Sequence, residues 1–552
     1  MIVSILILFG FSAFGQFCKT IDAPRRNLRN QALSKTIERN SSWDAIRFYV
    51  DWSQFSTDEK QKYEKYIDAA FVYFSNALKV HQITSSSTWD EFLIDDEYCS
   101  LLYDKYLGKV IHSTEMLVLL TLEYNSEETY AGYSVVCGMD PETNQPIATT
   151  ITLNKANIGT GKNEVEKLVM LITHELAHSL GFSYEDMSNF IKPDGSNYSK
   201  SELFTTLEVR GLTKQIFLST PKVQELARES FGCSTLPGIQ LENQGLEGSV
   251  HQHWDKRIMG TEYMNPQMLR SGIVYSDITL AVFEDSGWYQ PDYSYGTKIN
   301  FGYNKGCDFI ENKCIIDEQP ISEEFCADAS LMLCDFSHLS YGFCKFVESS
   351  GIPTEFQYFS DETLGGDFYA DYCPVNLRTF GCRGNSFVAN SDLGESFCLD
   401  CRCVEGTFSL SEADVYRASC HEITCYGESF DVKIGNSTVT CNADGEELDV
   451  EGFLGTMVCP SFEKVCSIKP CRFNCFGGKC ESGVCSNGGD ENEFGGEEYP
   501  DYGGNDQESF ESESSETLES SSFESSESYF NSSESSQASI LYFCLANLFI
   551  GA

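Results

Sequence analysis

Positive charge is scarce in this chain, and so are long apolar runs. Lys and Arg together number 38 against 83 Asp and Glu, which gives a formal net charge of −45 over 552 residues. A nucleic-acid-binding protein needs a basic surface, so the composition argues against that class. Hydrophobic residues make up 41% of the chain. That fraction is ordinary for a globular protein and argues against a polytopic membrane protein.

Two short apolar segments lie at the ends of the chain. Residues 1–15 hold an apolar run that ends with Ala13 and Gly15, small residues at −3 and −1 of a cleavage site. This predicts a signal peptide, although no basic residue precedes the run; the alternative is a buried N-terminal helix. Residues 538–552 are also apolar, but they are fewer than the roughly 20 residues that span a bilayer.

The C-terminal tail follows a serine-rich acidic tract. Fifteen acidic residues and no Lys or Arg occur from Asp490 to Glu534, which predicts an extended stalk. The small residues Asn531, Ser532 and Ser533 precede the apolar tail. This order resembles a signal for a GPI anchor, with plain secretion as the alternative. The two ends therefore predict an extracellular or cell-surface protein that is held to the membrane by a lipid anchor.

Cysteine is rare in the first half of the chain and dense in the second. A total of 24 Cys favours disulfides formed in an oxidising compartment. Only three lie between residues 42 and 290, whereas nineteen lie from Cys307 to Cys485. This shift predicts a domain boundary near residue 300. Both counts are odd, so at least one disulfide joins the two regions if all of these cysteines pair, and Cys233 is the nearest candidate.

Periodicity in the first region predicts a strand followed by a helix. An amphipathic helix is expected from Thr57 to about Leu78, and residues 147–154 are rich in β-branched side chains and predict a strand. Asn163 is placed to cap a second helix, with Glu166 three residues later. Gly181 is placed to end that helix.

The second helix carries the sequence H-E-L-A-H at residues 174–178. His174 and His178 lie four residues apart and face the same side, so both imidazoles can bind one zinc ion. Glu175 lies beside them, where the general base for a metal-bound water is needed. The alternative is a helix with two structural histidines. We therefore predict one catalytic Zn²⁺ as the cofactor.

A catalytic zinc needs a third protein ligand and an open position. In the metzincin pattern H-E-x-x-H-x-x-G-x-x-H the third His falls at residue 184, which is Tyr184 here. Gly181 fits the pattern, but the third ligand must come from elsewhere. The remaining candidates are His81, His112, His251, His253, His338 and His421.

The segment His253-Trp254-Asp255-Lys256-Arg257, with Met264 eleven residues after His253, resembles leishmanolysin, a surface zinc metalloproteinase of the metzincin clan. In that family an insertion displaces the third His, and a Met-turn underlies the zinc. Further similar segments are residues 220–233, 241–245, 276–289 and 304–309. The resemblance extends from about residue 42 to 485.

The resemblance implies roles for individual residues. His174, His178 and His253 would be the metal ligands, Glu175 the base and Met264 the Met-turn residue. His251 is the local rival of His253, but it lacks the following Trp. The implied fold class is α+β, a metzincin-type zinc peptidase with an insertion after the zinc helix and a disulfide-rich C-terminal domain.

The implied division of the chain follows these motifs. It is a signal peptide at 1–15, a pro-segment at 16–41, an N-terminal catalytic subdomain at 42–182, a part with the insertion, third ligand and Met-turn at 183–300, a disulfide-rich domain at 301–487, an acidic Ser-rich stalk at 488–537 and a hydrophobic tail at 538–552.

Cys18 is alone in the expected pro-segment. In leishmanolysin-like proteins a pro-segment Cys is thought to occupy the open zinc position and keep the enzyme latent, and Cys18 is the candidate for that role. The alternative is a disulfide between Cys18 and another Cys. The N-x-S/T sequences at Asn40, Asn197, Asn436 and Asn531 are candidate glycosylation sites.

These features and the resemblance predict a secreted or surface zinc endopeptidase that hydrolyses protein or peptide substrates. The resemblance also implies a role in cell adhesion. Two rivals stay open: a non-catalytic adhesion protein on the same scaffold, and a coat protein in which zinc is structural. A structural zinc normally has four protein ligands. Three His with Glu175 at the base position therefore favour the enzyme.

Overall fold

The computed structural model describes most of the chain between residues 37 and 467. The described residues are 37–84, 92–94, 97–110, 113–159, 165–245, 249–267, 273–376, 378–382, 387–398, 400–411, 415–467, 479–481 and 484–486. The expected signal peptide, stalk and tail, most of the expected pro-segment, Cys18, Asn163 and Asn531 lie outside these residues. Within them, no helix is both long and apolar enough to cross a membrane.

The N-terminal part combines two sheets with three helices. Its elements are β1 (Arg39–Ala45), β2 (Phe48–Asp51), α1 (Thr57–Ala77), β3 (Leu78–Ile83), α2 (Ser100–Tyr106), β4 (Met116–Glu123), β5 (Gly132–Met139), β6 (Pro146–Asn154) and α3 (Val165–Ser179). The main sheet has the order β2-β4-β6-β5, with β2, β4 and β6 parallel and the edge strand β5 antiparallel. The strand predicted at 147–154 is confirmed as β6.

Helices cover both faces of the main sheet. Met116, Val118 and Ile151 on one face share a buried core with α1 and α3. On the opposite face, Leu117 and Leu119 pack with residues of α2. A sheet covered on both faces explains why every residue of β6 is buried, its threonines included, rather than every second one.

Helix α1 confirms the helix predicted from residue 57. Ser56 caps it, since the Ser56 hydroxyl accepts the Glu59 N–H at 3.2 Å and the Glu59 carboxylate accepts the Ser56 N–H at 3.0 Å. This reciprocal pair is a capping box. The buried face runs through Ile67, Phe74 and Ala77, so the helix fits the sheet along one apolar stripe.

The middle part contains short elements around a three-stranded sheet. They are α4 (Tyr184–Met187), α5 (Lys200–Leu203), β7 (Phe204–Val209), β8 (Leu212–Leu218), α6 (Pro221–Phe231), β9 (Ile239–Gln240), α7 (Lys256–Met259), α8 (Asp277–Asp285) and β10 (Gln290–Pro291). The sheet order is β7-β8-β9, all antiparallel. Strand β10 returns to β3, so this part is joined to the N-terminal sheet β1-β3-β10.

The C-terminal part is mainly antiparallel β structure held by disulfides. Its elements are α9 (Cys307–Glu311), β11 (Ile315–Ile316), β12 (Gln319–Pro320), β13 (Met332–Cys334), β14 (Ser340–Lys345), β15 (Val347–Glu348), β16 (Leu364–Gly365), β17 (Val375–Asn376), β18 (Phe380–Gly381), β19 (Cys401–Gly406), β20 (Arg417–Tyr426), β21 (Ser429–Ile434), β22 (Ser437–Cys441), β23 (Glu447–Asp449), β24 (Thr456–Val458), β25 (Lys479–Glu481) and β26 (Val484–Ser486). The largest sheet has the order β22-β21-β20-β19-β24-β23.

Nine disulfides occur among the described residues, and one of them crosses residue 300. They are Cys99–Cys137, Cys233–Cys307, Cys314–Cys373, Cys326–Cys344, Cys334–Cys403, Cys382–Cys420, Cys398–Cys401, Cys425–Cys466 and Cys441–Cys459. Cys233–Cys307 confirms the predicted bridge between the two regions. The main apolar core is also continuous across residue 300, because Cys314, Phe325 and Cys373 belong to it.

Candidate metal centre

Three histidine rings converge at the C-terminal end of helix α3. The Nε2 atom of His178 lies 3.1 Å from that of His174 and 3.3 Å from that of His253. The ligand atoms of all three lie within 4.8 Å of one another, and the three side chains are buried. The structure therefore brings together the two histidines of the helix motif and the one predicted from farther along the chain.

The outward-facing nitrogen of each ring contacts an oxygen. The Nδ1 of His174 donates to the Tyr263 carbonyl at 2.8 Å, and the Nδ1 of His178 donates to the Phe182 carbonyl at 2.6 Å. A carbonyl oxygen only accepts, so both Nδ1 atoms carry the proton and both Nε2 atoms present lone pairs. Two lone pairs then face each other across 3.1 Å.

Burial keeps the rings neutral. It lowers the pKa of His178 and of His253 to about 3, and it lowers the pKa of His174 well below its ordinary value. For His174 and His178 the neighbouring imidazoles add to this lowering. Neutral imidazole is the form that binds a metal.

The donor set fits a zinc ion. Zinc–nitrogen bonds of about 2.0–2.1 Å in tetrahedral geometry place neighbouring nitrogens about 3.3 Å apart. The two short Nε2 separations are 3.1 and 3.3 Å. A cation among the three Nε2 atoms would turn the opposed lone pairs into ligands. His174, His178 and His253 therefore fit the group that the sequence predicts.

The end of helix α3 fixes the surroundings of His178. Gly181 has a φ of +114°, and a Cβ there would lie 2.7 Å from the Trp288 ring. The chain can therefore turn tightly at this residue and pass under Trp288. The turn brings the Phe182 carbonyl back to His178, so the predicted role of Gly181 as the helix end is confirmed.

His253 reaches the site from an irregular segment that is paired to strand β9. The Asp255 N–H donates to the Gln240 carbonyl at 3.0 Å, and the Glu242 N–H donates to the His253 carbonyl at 2.8 Å. Trp254 is fully buried, and its indole N–H donates to Thr279 at 2.8 Å. The buried Trp254 thus anchors the chain next to His253, which gives a physical reason for the His-Trp sequence at this site.

Glu242 is a further residue of the site, and no motif in the sequence marks it. Its carboxylate accepts the Nδ1 proton of His253 at 2.7 Å and is contacted at 3.0 Å by the Ser249 hydroxyl. Glu242 lies within the segment 241–245 that supported the resemblance, yet neither its spacing nor its type distinguishes it from the many other glutamates. Only the fold shows which carboxylate faces the third ring.

The segment Glu262–Met264 connects helix α3 to the segment that carries His253. The Tyr263 carbonyl accepts from the Nδ1 of His174, and the Met264 carbonyl accepts from the backbone N–H of Trp254 at 3.0 Å. The Glu262 carboxylate accepts from the Met264 N–H and from the Ser276 hydroxyl. Burial raises the pKa of Glu262 to about 7, against the effect of these hydrogen bonds. Met264 itself is fully buried.

A buried ionic network connects the C-terminal part to the segment that carries His253. Arg210 pairs with Asp371 at 3.1 Å and donates to Gln240 at 2.8 Å. Gln240 donates in turn to Asp255 at 2.9 Å, and Asn243 donates to Asp371 at 2.9 Å. The position of His253 therefore depends on residues of the disulfide-rich part.

The other predicted site residues take varied positions. Glu175 is fully buried on α3 and lies between His174 and His178 in the sequence. His251 is outside the cluster; it has a φ of +70°, and its ring lies 5.5 Å from that of Tyr184. The described histidines His81, His338 and His421 also lie outside the metal group, and His112 falls outside the described residues.

The candidate glycosylation sites differ in exposure. Asn197 and Asn436 are exposed. Asn40 is half-buried, its amide nitrogen donates to Asp44 at 2.8 Å, and its oxygen accepts the Gln82 N–H at 2.8 Å.

Comparison with known proteins identifies the family. The model of the leishmanolysin family of M8 peptidases matches residues 53–470, most of the chain. The chain belongs to the leishmanolysin family. It is therefore a metalloendopeptidase of a zinc-dependent family, with a mixed helix and strand structure and many disulfides.

Individual relatives are similar at moderate identity. A leishmanolysin of Leishmania chagasi is 26% identical over 515 residues, covering 82% of each chain. A leishmanolysin of Leishmania major is 28% identical over 378 residues, covering 63% of this chain and 59% of that protein. A leishmanolysin-like peptidase of Caenorhabditis briggsae is 26% identical over 455 residues, covering 65% of this chain and 67% of that protein.

Proposed function

We propose that the protein is a zinc-dependent endopeptidase in which His174, His178 and His253 hold one zinc ion and Glu175 is the general base. The observation that carries this proposal is the convergence of three neutral, buried imidazoles through their Nε2 atoms. Family membership supports the reaction class.

Zinc bound there would polarise the scissile carbonyl and lower the pKa of its water. Glu175 follows His174 directly on helix α3, and this position in the H-E-x-x-H motif is the one that a general base for a metal-bound water would take. A carboxylate there can take a proton from the attacking water and deliver it to the leaving amine. The neutral imidazoles contribute no acid of their own at neutral pH.

Replacement of the base tests this mechanism. Glu175→Gln should lower kcat by about a hundredfold or more, because general-base catalysis contributes about 10²–10⁴-fold. It should keep one zinc per chain. Glu225→Gln on the exposed face of α6 is the matched control and should keep full activity. The measurements are hydrolysis of a denatured protein substrate and zinc content.

Full activity in Glu175→Gln would overturn the assignment of the base. An inactive, zinc-loaded and well-folded parent chain would instead favour the non-catalytic adhesion or coat protein. His253→Asn beside His251→Asn completes the experiment, since Asn tolerates the left-handed backbone at residue 251. Only the residue 253 variant should lose zinc.

The same proposal includes a metzincin-type arrangement with a displaced third ligand and Met264 as its Met-turn residue. The contacts of the segment Glu262–Met264 with His174 and Trp254 support it, since they hold the two ligand-bearing segments together. The domain boundaries expected at residues 42, 183, 301 and 488 belong to this proposal.

Secretion and surface anchoring are further parts of the proposal. Nine disulfides among the described residues support an oxidising compartment. Release of the protein from cells by a phosphoinositide-specific phospholipase tests the lipid anchor. Retention on the cells would contradict it. Glycosylation at the exposed Asn197 and Asn436, and a role in adhesion, are proposed on the sequence patterns and the family.

Latency through Cys18 is proposed from its place in the expected pro-segment. Thiol labelling of the unprocessed protein tests it, because a zinc-bound thiolate is protected. Free labelling of Cys18 while zinc is bound would overturn the idea.

A further inference from the structure

We propose that Glu242 is a positioning residue that fixes the ring of His253 and thereby sets the affinity of the three imidazoles for a divalent metal. This inference rests on the proposed function for the identity of the three ligands. It concerns a residue with no metal contact of its own, and it predicts an effect on metal binding that can be measured without catalysis.

The carboxylate of Glu242 is enclosed at the back of His253. Its Oε2 accepts the Nδ1 proton of His253 at 2.7 Å. The Ser249 hydroxyl lies 3.0 Å from both carboxylate oxygens. The residue is only 1% exposed, so the imidazole and the hydroxyl take the place of water as its partners.

Glu242 also holds the backbone of the ligand segment. Its N–H donates to the His253 carbonyl at 2.8 Å, and its carbonyl accepts the His251 N–H at 3.0 Å. One residue therefore fixes both the main chain and the ring of the third ligand. Both constraints must hold for Nε2 to stay within 3.3 Å of the Nε2 of His178.

Gly245 leaves the room that this carboxylate needs. It has a φ of +117°, and a Cβ there would lie 2.7 Å from Glu242 Oε1 and 3.2 Å from the Ser249 hydroxyl. Any side chain at residue 245 would press on the carboxylate that orients His253. The turn, the hydroxyl and the carboxylate form one unit.

The three ligands differ in how they are held, which explains why a carboxylate is needed at only one of them. His174 and His178 are four residues apart on a buried helix and are backed by neutral carbonyls. His253 lies on an irregular segment between β9 and α7. A carboxylate behind an imidazole orients the ring and makes the metal-facing nitrogen a stronger donor.

Metal affinity of the full chain tests the inference. Competition with a chelator for Zn²⁺ should show about 10–100-fold weaker binding by Glu242→Gln than by the parent, the usual loss when a ligand's supporting carboxylate is removed. The matched control is Glu185→Gln, whose carboxylate accepts from Gln252 at 2.8 Å in the same neighbourhood but contacts none of the three imidazoles. It should bind as the parent does.

Cobalt provides a second readout. Co²⁺ bound to the parent and to Glu185→Gln should give the same visible spectrum, whereas Glu242→Gln should give an altered one because the third imidazole is turned. Two further variants, Ser249→Ala and Gly245→Ala, keep Glu242 but loosen or displace its carboxylate. Each should weaken Zn²⁺ binding in the same direction by up to about tenfold, which keeps the test decisive if Glu242→Gln does not fold.

Parent-like Zn²⁺ affinity and cobalt spectrum in a folded Glu242→Gln would overturn the inference, as would equal losses in Glu242→Gln and Glu185→Gln. Parent-like affinity in both Ser249→Ala and Gly245→Ala would count against it if Glu242→Gln does not fold. Failure of the parent chain to bind Zn²⁺ at all would contradict the proposed function itself, and is thus distinguishable.

Discussion

Two clusters of side chains in this molecule contain buried histidine, and they shift the histidine pKa in opposite directions. At the metal centre, burial lowers the pKa of His178 and His253 to about 3. In the C-terminal part, burial also works to lower the pKa of His338, but the interaction with the Glu323 carboxylate, 3.6 Å from the His338 Nε2, outweighs it and raises the pKa. Burial of a histidine therefore does not determine its charge.

The surroundings of the nearest carboxylate account for the difference. Glu323 lies 2.7 Å from Lys464 and 2.9 Å from Lys305. Burial works to raise the pKa of Glu323, but His338 and the lysine charges hold it below its ordinary value. Glu242 has a serine hydroxyl instead of a lysine, and burial raises its pKa. The cluster around His338 contains its own cations, Lys464 and Lys305. The three-histidine cluster contains no lysine among its described contacts and is arranged to receive a metal cation.

The largest expected difference between the two clusters is the effect of replacing a histidine on zinc content and activity. His178→Gln should abolish stoichiometric zinc and lower kcat/KM by at least about a thousandfold, since it removes both a ligand and the preorganised site. His338→Gln should keep zinc and activity. Zinc content and peptide hydrolysis of the two variants are the measurements, and zinc loss in both would show that the clusters are not independent.

A second prediction concerns the ion cluster. Lys464→Met should lower the free energy of unfolding by about 3–5 kcal/mol, because Lys464 is buried and its removal leaves Glu324 buried without its cation. Zinc content of the folded fraction should not change. Chemical denaturation measures the effect; a change below about 1 kcal/mol would mean that the cluster is well solvated.

The smallest effect is a pH dependence. The raised pKa of His338 means that its ion pair stabilises the fold fully below about pH 6.5 and that this stabilisation fades as the pH rises through the raised value. The loss of stability caused by His338→Gln should thus be greater at about pH 5.5 than at about pH 8.5, by about 1 kcal/mol. Urea unfolding at the two pH values measures it, and an equal loss at both would contradict the raised pKa.

Local parts of this architecture could be predicted from the sequence. The helix α1, the strand β6 and the pair His174 and His178 follow from capping and spacing within a few residues of one another. The link between Cys233 and the C-terminal part followed from counting cysteines. In each case the physical cause lies within one segment of the chain or in its composition.

Contacts between distant segments could not be predicted from periodicity. His253 was found only through the family resemblance, and Glu242 was missed, because the carboxylate and the ring meet through the pairing of two irregular segments. Most disulfide pairings could likewise not be predicted, because nineteen cysteines can pair in many different ways. The folded sheets decide which cysteines lie close enough to bond.

The link between Asp371 and the segment that carries His253 has a consequence for the order of events during synthesis. The ribosome completes residues 174, 178 and 253 well before residue 371, so the partner that anchors Asn243 and Arg210 arrives last. The segment that carries His253 therefore has its full set of contacts only after the loop closed by Cys314–Cys373 has been made. A nascent chain up to residue 300 carries His174, His178 and His253 but lacks this support. We therefore expect the candidate metal centre to reach its final geometry only after the disulfide-rich part has folded.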